Sequence, residues 1–131
     1  MKTRDVIISI QPKCWDLIKA GEKVVEFRRK WIKQDITIGK LYFYVSAPVQ
    51  KIVGIATGID WRHDSLDLIW HMDGKGGNIS KETFDQYFHG VTNGNAIWWD
   101  ELNVLDEPDY PNQRWSWWTR PPQNFMYVRE A

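Results

Sequence analysis

The chain has 131 residues, 43% of them hydrophobic and 26% charged, a globular make-up that excludes a disordered or fibrous protein and suits one domain spanning residues 1–131. Lys+Arg and Asp+Glu both number 17, so the formal net charge is zero, which excludes a whole-molecule basic field pulling the protein onto nucleic acid. A lone cysteine, Cys14, rules out an internal disulfide, and no run approaches ~18 consecutive apolar residues, so a soluble cytoplasmic protein with no membrane partner is expected.

Residues 5–10 alternate and are rich in Ile and Val, which predicts a strand. Gln11-Pro12 breaks it, and Pro12 suits the first position of a helix. Cys14, Leu17 and Ile18 then form an apolar stripe, and Gly21 ends the helix, with Lys19 favouring its negative end. Residues 23–31 read as a second strand, with Val25, Phe27, Arg29 and Trp31 on one face and Val24, Glu26, Arg28 and Lys30 on the other. Residues 41–46 and 51–59 give two more strands around a turn containing Pro48. Four strands around one short helix indicate a curled sheet or barrel.

Residues 74–78 carry three glycines and read as a flexible loop without P-loop spacing. A second helix is expected near residues 80–89, capped by Ser80, stapled by Ile79 and Phe84, and closed by Gly90. Phe84, Tyr87 and Phe88 would be its buried stripe. Residues 96–99 and 103–105 look like strand pieces, and residues 125–128, after Pro121-Pro122, like a final strand.

In this order the motifs resemble the ASCH domain, a branch of the PUA-like barrels. The resemblance begins at Ile8-Ser9-Ile10-Gln11-Pro12 and is most specific at Gly21-Glu22-Lys23-Val24-Val25-Glu26-Phe27-Arg28-Arg29, which looks like the family's Gly-x-Lys-x-x-Glu-x-Arg signature. It continues through residues 42–48, Lys51-Ile52-Val53-Gly54, Tyr87-Phe88-x-Gly90 with Ala96-Ile97, and residues 121–128. It implies an α+β fold: a small PUA-like β-barrel of about five to six strands, with a short helix after the first strand and a second near residues 80–89. It also implies an RNA- or nucleotide-binding module, with a modified nucleoside among its ligands. The alternatives it leaves open are a hydrolase that removes the acetyl group from N(4)-acetylcytidine, a ribonuclease, and a part in transcriptional coactivation. In the acetylcytidine branch the implied set is the motif's Lys, a Thr three residues later and a distant Glu. Lys23 matches the first, whereas Glu26 stands where the Thr is implied, which removes the hydroxyl nucleophile. For the distant acid, Asp73 and Glu82 flank the region without clear register.

The residues themselves give the site its chemistry. Glu26 and Arg28, two apart on a strand, point to the same side, so Arg28 can hold Glu26 through a charge-assisted bond. That pairing leaves Lys23 free to meet a phosphate, a carbonyl oxygen or a base edge. Tyr44 and Ser46 add a stacking face and a hydroxyl. The expected ligand-binding set is therefore Lys23, Glu26, Arg28, Arg29, Tyr44 and Ser46, with Trp31 and Trp61 as base-stacking candidates alongside Trp70. Lys23 and Glu26 would be catalytic if the protein is an enzyme, Glu26 as base on water. The plainer reading is a surface Glu–Arg pair worth about 0–1 kcal/mol. Most of the nine Trp, including Trp98, Trp99, Trp115, Trp117 and Trp118, are assigned to packing. His63, His71 and His89 are scattered, and Cys14 reads as a small core residue. No zinc spacing occurs, and neither metal nor cofactor is expected. The partner is a nucleotide, nucleoside or short RNA; protein partners are undefined.

Overall fold

The computed structural model describes residues 2–129. It is an α+β molecule with eight strands among the described residues, more than the five to six expected. Strand β1 (Lys2–Ile10) is followed by helix α1 (Pro12–Lys19), β2 (Val25–Arg28), β3 (Ile36–Val45), β4 (Lys51–Thr57) and β5 (Asp60–Ser65). Helix α2 (Leu66–Asp73) leads through a 3₁₀ turn (Gly74–Gly77) to α3 (Lys81–Tyr87). Strands β6 (Asn93–Trp98) and β7 (Glu101–Asp109), helix α4 (Pro111–Arg114) and β8 (Phe125–Tyr127) complete the chain. The ladders form two sheets, ordered β7-β4-β3-β1-β8 and β2-β6-β5, and not one continuous ring.

The Ile/Val alternation of β1 explains its place inside the larger sheet. It pairs in parallel with β3 and antiparallel with β8, and Val6, Ile7 and Ile8 are fully buried. One face of this sheet packs under α1. The buried residues of that helix are Trp15 and Ile18, whereas Cys14 and Leu17 of the expected stripe are half-buried. Trp15 reaches β4 at Gly54, where an added Cβ would lie 2.6 Å from its Cη2. Gly21, at φ +77°, turns the chain out of α1 without the side-chain strain of the left-handed region.

The expected long strand over residues 23–31 is shortened to the four residues that pair with β6. Trp31, beyond the pairing, turns inward to the main core at 4% exposure, and Arg29 lies at the surface. The smaller sheet carries a second core of Val25, Phe27, Ile69, Phe84, Phe88 and Ala96. The glycine segment 74–77 is a packed turn against this core, not a flexible loop: a Cβ at Gly77 would lie 2.0 Å from Phe27 Cε2. In α3, the Ser80 hydroxyl accepts from Thr83 N and Ile79 packs on the cluster holding Phe84. Tyr87 is not part of the buried stripe; it is 40% exposed. On the other face of the large sheet, Trp115, Trp117 and Trp118 cover Tyr42 and Tyr44, the packing role expected of them.

Among the described residues, no helix is long and apolar enough to cross a membrane. No group of three or more His, Cys, Asp or Glu among them could hold a metal ion.

Candidate functional site

The two sheets, α1, α3 and the segment 121–123 surround a cavity of about 800 Å³. Its polar floor comes from β2, whose alternation sends Val25 and Phe27 to the second core and Glu26 and Arg28 to the cavity, with Phe27 also contributing to the cavity lining. The large sheet contributes Ser9, Ile10, Tyr44 and Ser46 near the C-terminal ends of its parallel pair β1 and β3. Helix α3 contributes Thr83 and Tyr87, with Ile79 just before it. Of the expected site residues, Lys23, Glu26, Arg28, Tyr44 and Ser46 line this cavity.

The other three do not line it. Arg29 donates to the carbonyls of Tyr87 and His89, at 3.0 and 2.8 Å, and so ties β2 to the C-terminal end of α3. Trp31 is sealed in the core, and Trp61 packs against that core from β5. Trp70 leans on Phe84, 5.0 Å between ring centroids, in a separate hollow. Neither candidate distant acid reaches the cavity: Asp73 is buried and paired with Arg62 at 3.0 Å, and Glu82 lies on the exposed side of α3.

The Lys–Glu–Arg cluster is a buried network and not a surface pair. Arg28 Nη2 donates to Glu26 Oε2 at 2.5 Å and to the Ser9 carbonyl at 2.8 Å, while Nη1 donates to Asn124 Oδ1 at 2.9 Å. One guanidinium thus joins β2, β1 and the segment before β8. Lys23 is not free as expected. It is 4% exposed and donates to the Gly77 carbonyl at 2.6 Å, with Glu26 Oε1 3.6 Å away. Its placement comes from the helix exit: the amides of Glu22 and Lys23 both donate to the Leu17 carbonyl, which fixes the backbone ahead of β2. Donors remain for a ligand. An arginine has five N–H groups and an ammonium three, and the bonds above use three and one of these. A carboxylate flanked by two cations leaves about one net positive charge, held by buried groups that cannot rearrange freely.

Two residues that the sequence did not single out hold this floor. Asn95, 3% exposed, donates from Nδ2 to the Arg28 and Arg29 carbonyls at 3.1 and 3.4 Å, and its Oδ1 meets His63 Nδ1 at 2.9 Å. Asn124 Nδ2 donates to the Lys30 carbonyl at 2.7 Å. The walls carry three titratable groups that burial raises: the phenols of Tyr44 and Tyr87 and the thiol of Cys14. Arg28 opposes the shift at Tyr87, and Glu26 adds to the one at Cys14. Both tyrosines therefore present neutral O–H groups at neutral pH. Thr83 went unrecognised in the sequence and Tyr87 was assigned to the buried stripe, although Ile79, Thr83 and Tyr87 fall at four-residue spacing. That stripe lies beside the buried one of Phe84 and Phe88.

This two-sheet α+β scaffold has the fold of solved ASCH structures. Three solved structures share the fold with a TM-score of 0.83 at 22% identity: ASCH from Zymomonas mobilis, a Tyr-to-Phe variant and a Ser-to-Ala variant of it. They match 97% of this chain and 89–91% of theirs. In sequence, the chain is similar to an ASCH domain-containing ribonuclease of the same organism, 26% identical over 94 residues, or 72% of this chain and 63% of that relative's length. No family model matches. By fold the chain is similar to these ASCH structures, in agreement with the motif order of its sequence.

Proposed function

We propose that this chain, as one ASCH-type domain, binds RNA or a nucleotide in the cavity around Lys23, Glu26 and Arg28, taking one nucleotide unit, with modified nucleosides among its ligands. The observation that carries the reading is the cavity: about 800 Å³, within the range of small-molecule sites, with a buried Lys–Glu–Arg floor and walls of Tyr44, Tyr87, Ile79 and Pro122. Fixed donors and one acceptor suit the mixed edge of a base or a single phosphate, and the rings suit its flat face. The name of the similar ribonuclease supports an RNA-related ligand. The balanced charge supports a pocket over a long phosphate track, and the single cysteine suits a reducing, cytoplasmic setting. Arg29, Trp31 and Trp61 are left out of the proposed site.

Calorimetric titration with the four nucleoside 5′-monophosphates and a short single-stranded RNA tests this. Arg28→Ala and Tyr87→Ala should each weaken binding at least tenfold, on the scale of one charge-assisted bond or one stacked base. Tyr87 is exposed enough that its variant should fold normally. Wild-type affinity in both variants would show that the ligand sits elsewhere.

A second reading is hydrolysis, of RNA as the relative's name favours or of an acetylated cytidine as the motif resemblance implies, with Glu26 as base, Lys23 polarising the substrate and the Thr83 or Ser46 hydroxyl nearby. Product from labelled RNA or N(4)-acetylcytidine that is lost in Glu26→Gln supports the enzyme; no turnover at high protein concentration leaves the binding module.

A further inference from the structure

A second hollow of about 730 Å³ opens beside the cavity and shares Tyr44, Gln50 and Pro121 with it. Its far walls are Lys51, Tyr110 and Trp118. These residues offer what an adjacent nucleotide requires. Tyr110 is 50% exposed and heads α4, so part of its side chain is accessible to solvent. Lys51 Nζ lies 4.7 Å from its ring centroid, which puts a cation beside a stacking surface. Trp118 is fixed in orientation, tilted against Tyr44 at 5.5 Å and stacked on Trp115 at 6.2 Å between centroids. The nearest carboxylate in sequence, Asp109, is occupied: Arg114 Nη2 donates to its Oδ2 at 2.6 Å. Lys51 is thus the charged group that lines this hollow.

The wall between the two spaces is itself unusual. Gln50 sits at φ +55°, a left-handed conformation that a non-glycine residue holds only where the surroundings impose it. This places an exposed amide side chain, able to donate and accept, at the junction.

Resting on the nucleotide reading of the main cavity, we infer that the hollow of Lys51, Tyr110 and Trp118 is a second subsite that takes the neighbouring nucleotide of a single-stranded RNA. The ligand crosses the Tyr44–Gln50–Pro121 wall, its next base meets Tyr110, and its connecting phosphate meets Lys51. The preferred ligand is then an RNA of at least two nucleotides, bound more tightly than a single nucleotide.

The test compares RNA mono-, di- and tetranucleotides of mixed sequence by calorimetry against wild type, Tyr110→Ala and Lys51→Ala/Tyr110→Ala. In wild type, affinity should rise about tenfold or more from mono- to dinucleotide, the scale of one stacked base. Both variants should lose that gain while binding the mononucleotide as wild type does. No gain with length, or a gain that survives in the double variant, overturns the subsite and leaves the main cavity standing. Absence of binding by every probe overturns both.

Discussion

Removing the Arg28 guanidinium would strand a buried carboxylate, because Glu26 keeps only the more distant Lys23. Breaking one partner of a buried pair costs about 3–5 kcal/mol, so Arg28→Ala should lower unfolding stability by about 3 kcal/mol in urea titration, and an unchanged midpoint would mean the pair is solvated. Cys14 offers a pH readout. Burial raises its thiol, so the stability gained from keeping it neutral is complete below the unfolded value of about 8.5 and is lost as pH rises through the higher folded value. Iodoacetamide at pH 7 should therefore react more slowly with Cys14 than with a free cysteine, and bound nucleotide should slow it further, since Cys14 lines the cavity. The identities of Lys23, Glu26 and Arg28 were legible in the sequence because their spacing lies within six residues. Their engagement was not: Lys23 meets Gly77, 54 positions on, and Arg28 meets Asn124, 96 positions on.

The 3₁₀ turn and α3 carry one side of the site on tight packing. A methyl at Gly77 would collide with the Phe27 ring, so Gly77→Ala should cost about 1–3 kcal/mol and shift the carbonyl that holds Lys23. Thermal denaturation together with nucleotide titration would show both losses; a fully stable variant would contradict the packing. Ser80→Ala should cost about 1 kcal/mol through the lost cap on a seven-residue helix. At this scale the sequence was readable where apolar alternation or capping chemistry marks an element, as in β1, α1 and α3. Strand β5, Asp-Trp-Arg-His-Asp-Ser, has no such alternation and forms because β6 pairs along its length. Residues 23–31 looked like one strand, but pairing with β6 ends at Arg28, where Asn95 binds the next carbonyls and turns the chain. Tyr87 was placed in the core by its neighbours Phe84 and Phe88, although it faces the cavity.

Across the whole molecule, the zero net charge is distributed unevenly. Exposed Glu101, Asp106 and Glu107 lie on β7, the edge of the large sheet, where charge also discourages edge-to-edge pairing. The buried cations of the cavity are few and fixed. Affinity for short RNA should therefore fall only gently with salt, with a log–log slope of about −0.7 for each phosphate contacted and one or two such contacts. A slope several times steeper would indicate a surface phosphate track. Backbone amide chemical-shift mapping during titration with a single-stranded RNA dinucleotide tests the central claim most directly. Shifts concentrated at Lys23, Glu26, Arg28, Tyr44, Ser46 and Tyr87 are the predicted result; shifts elsewhere, with these six unmoved, would contradict it.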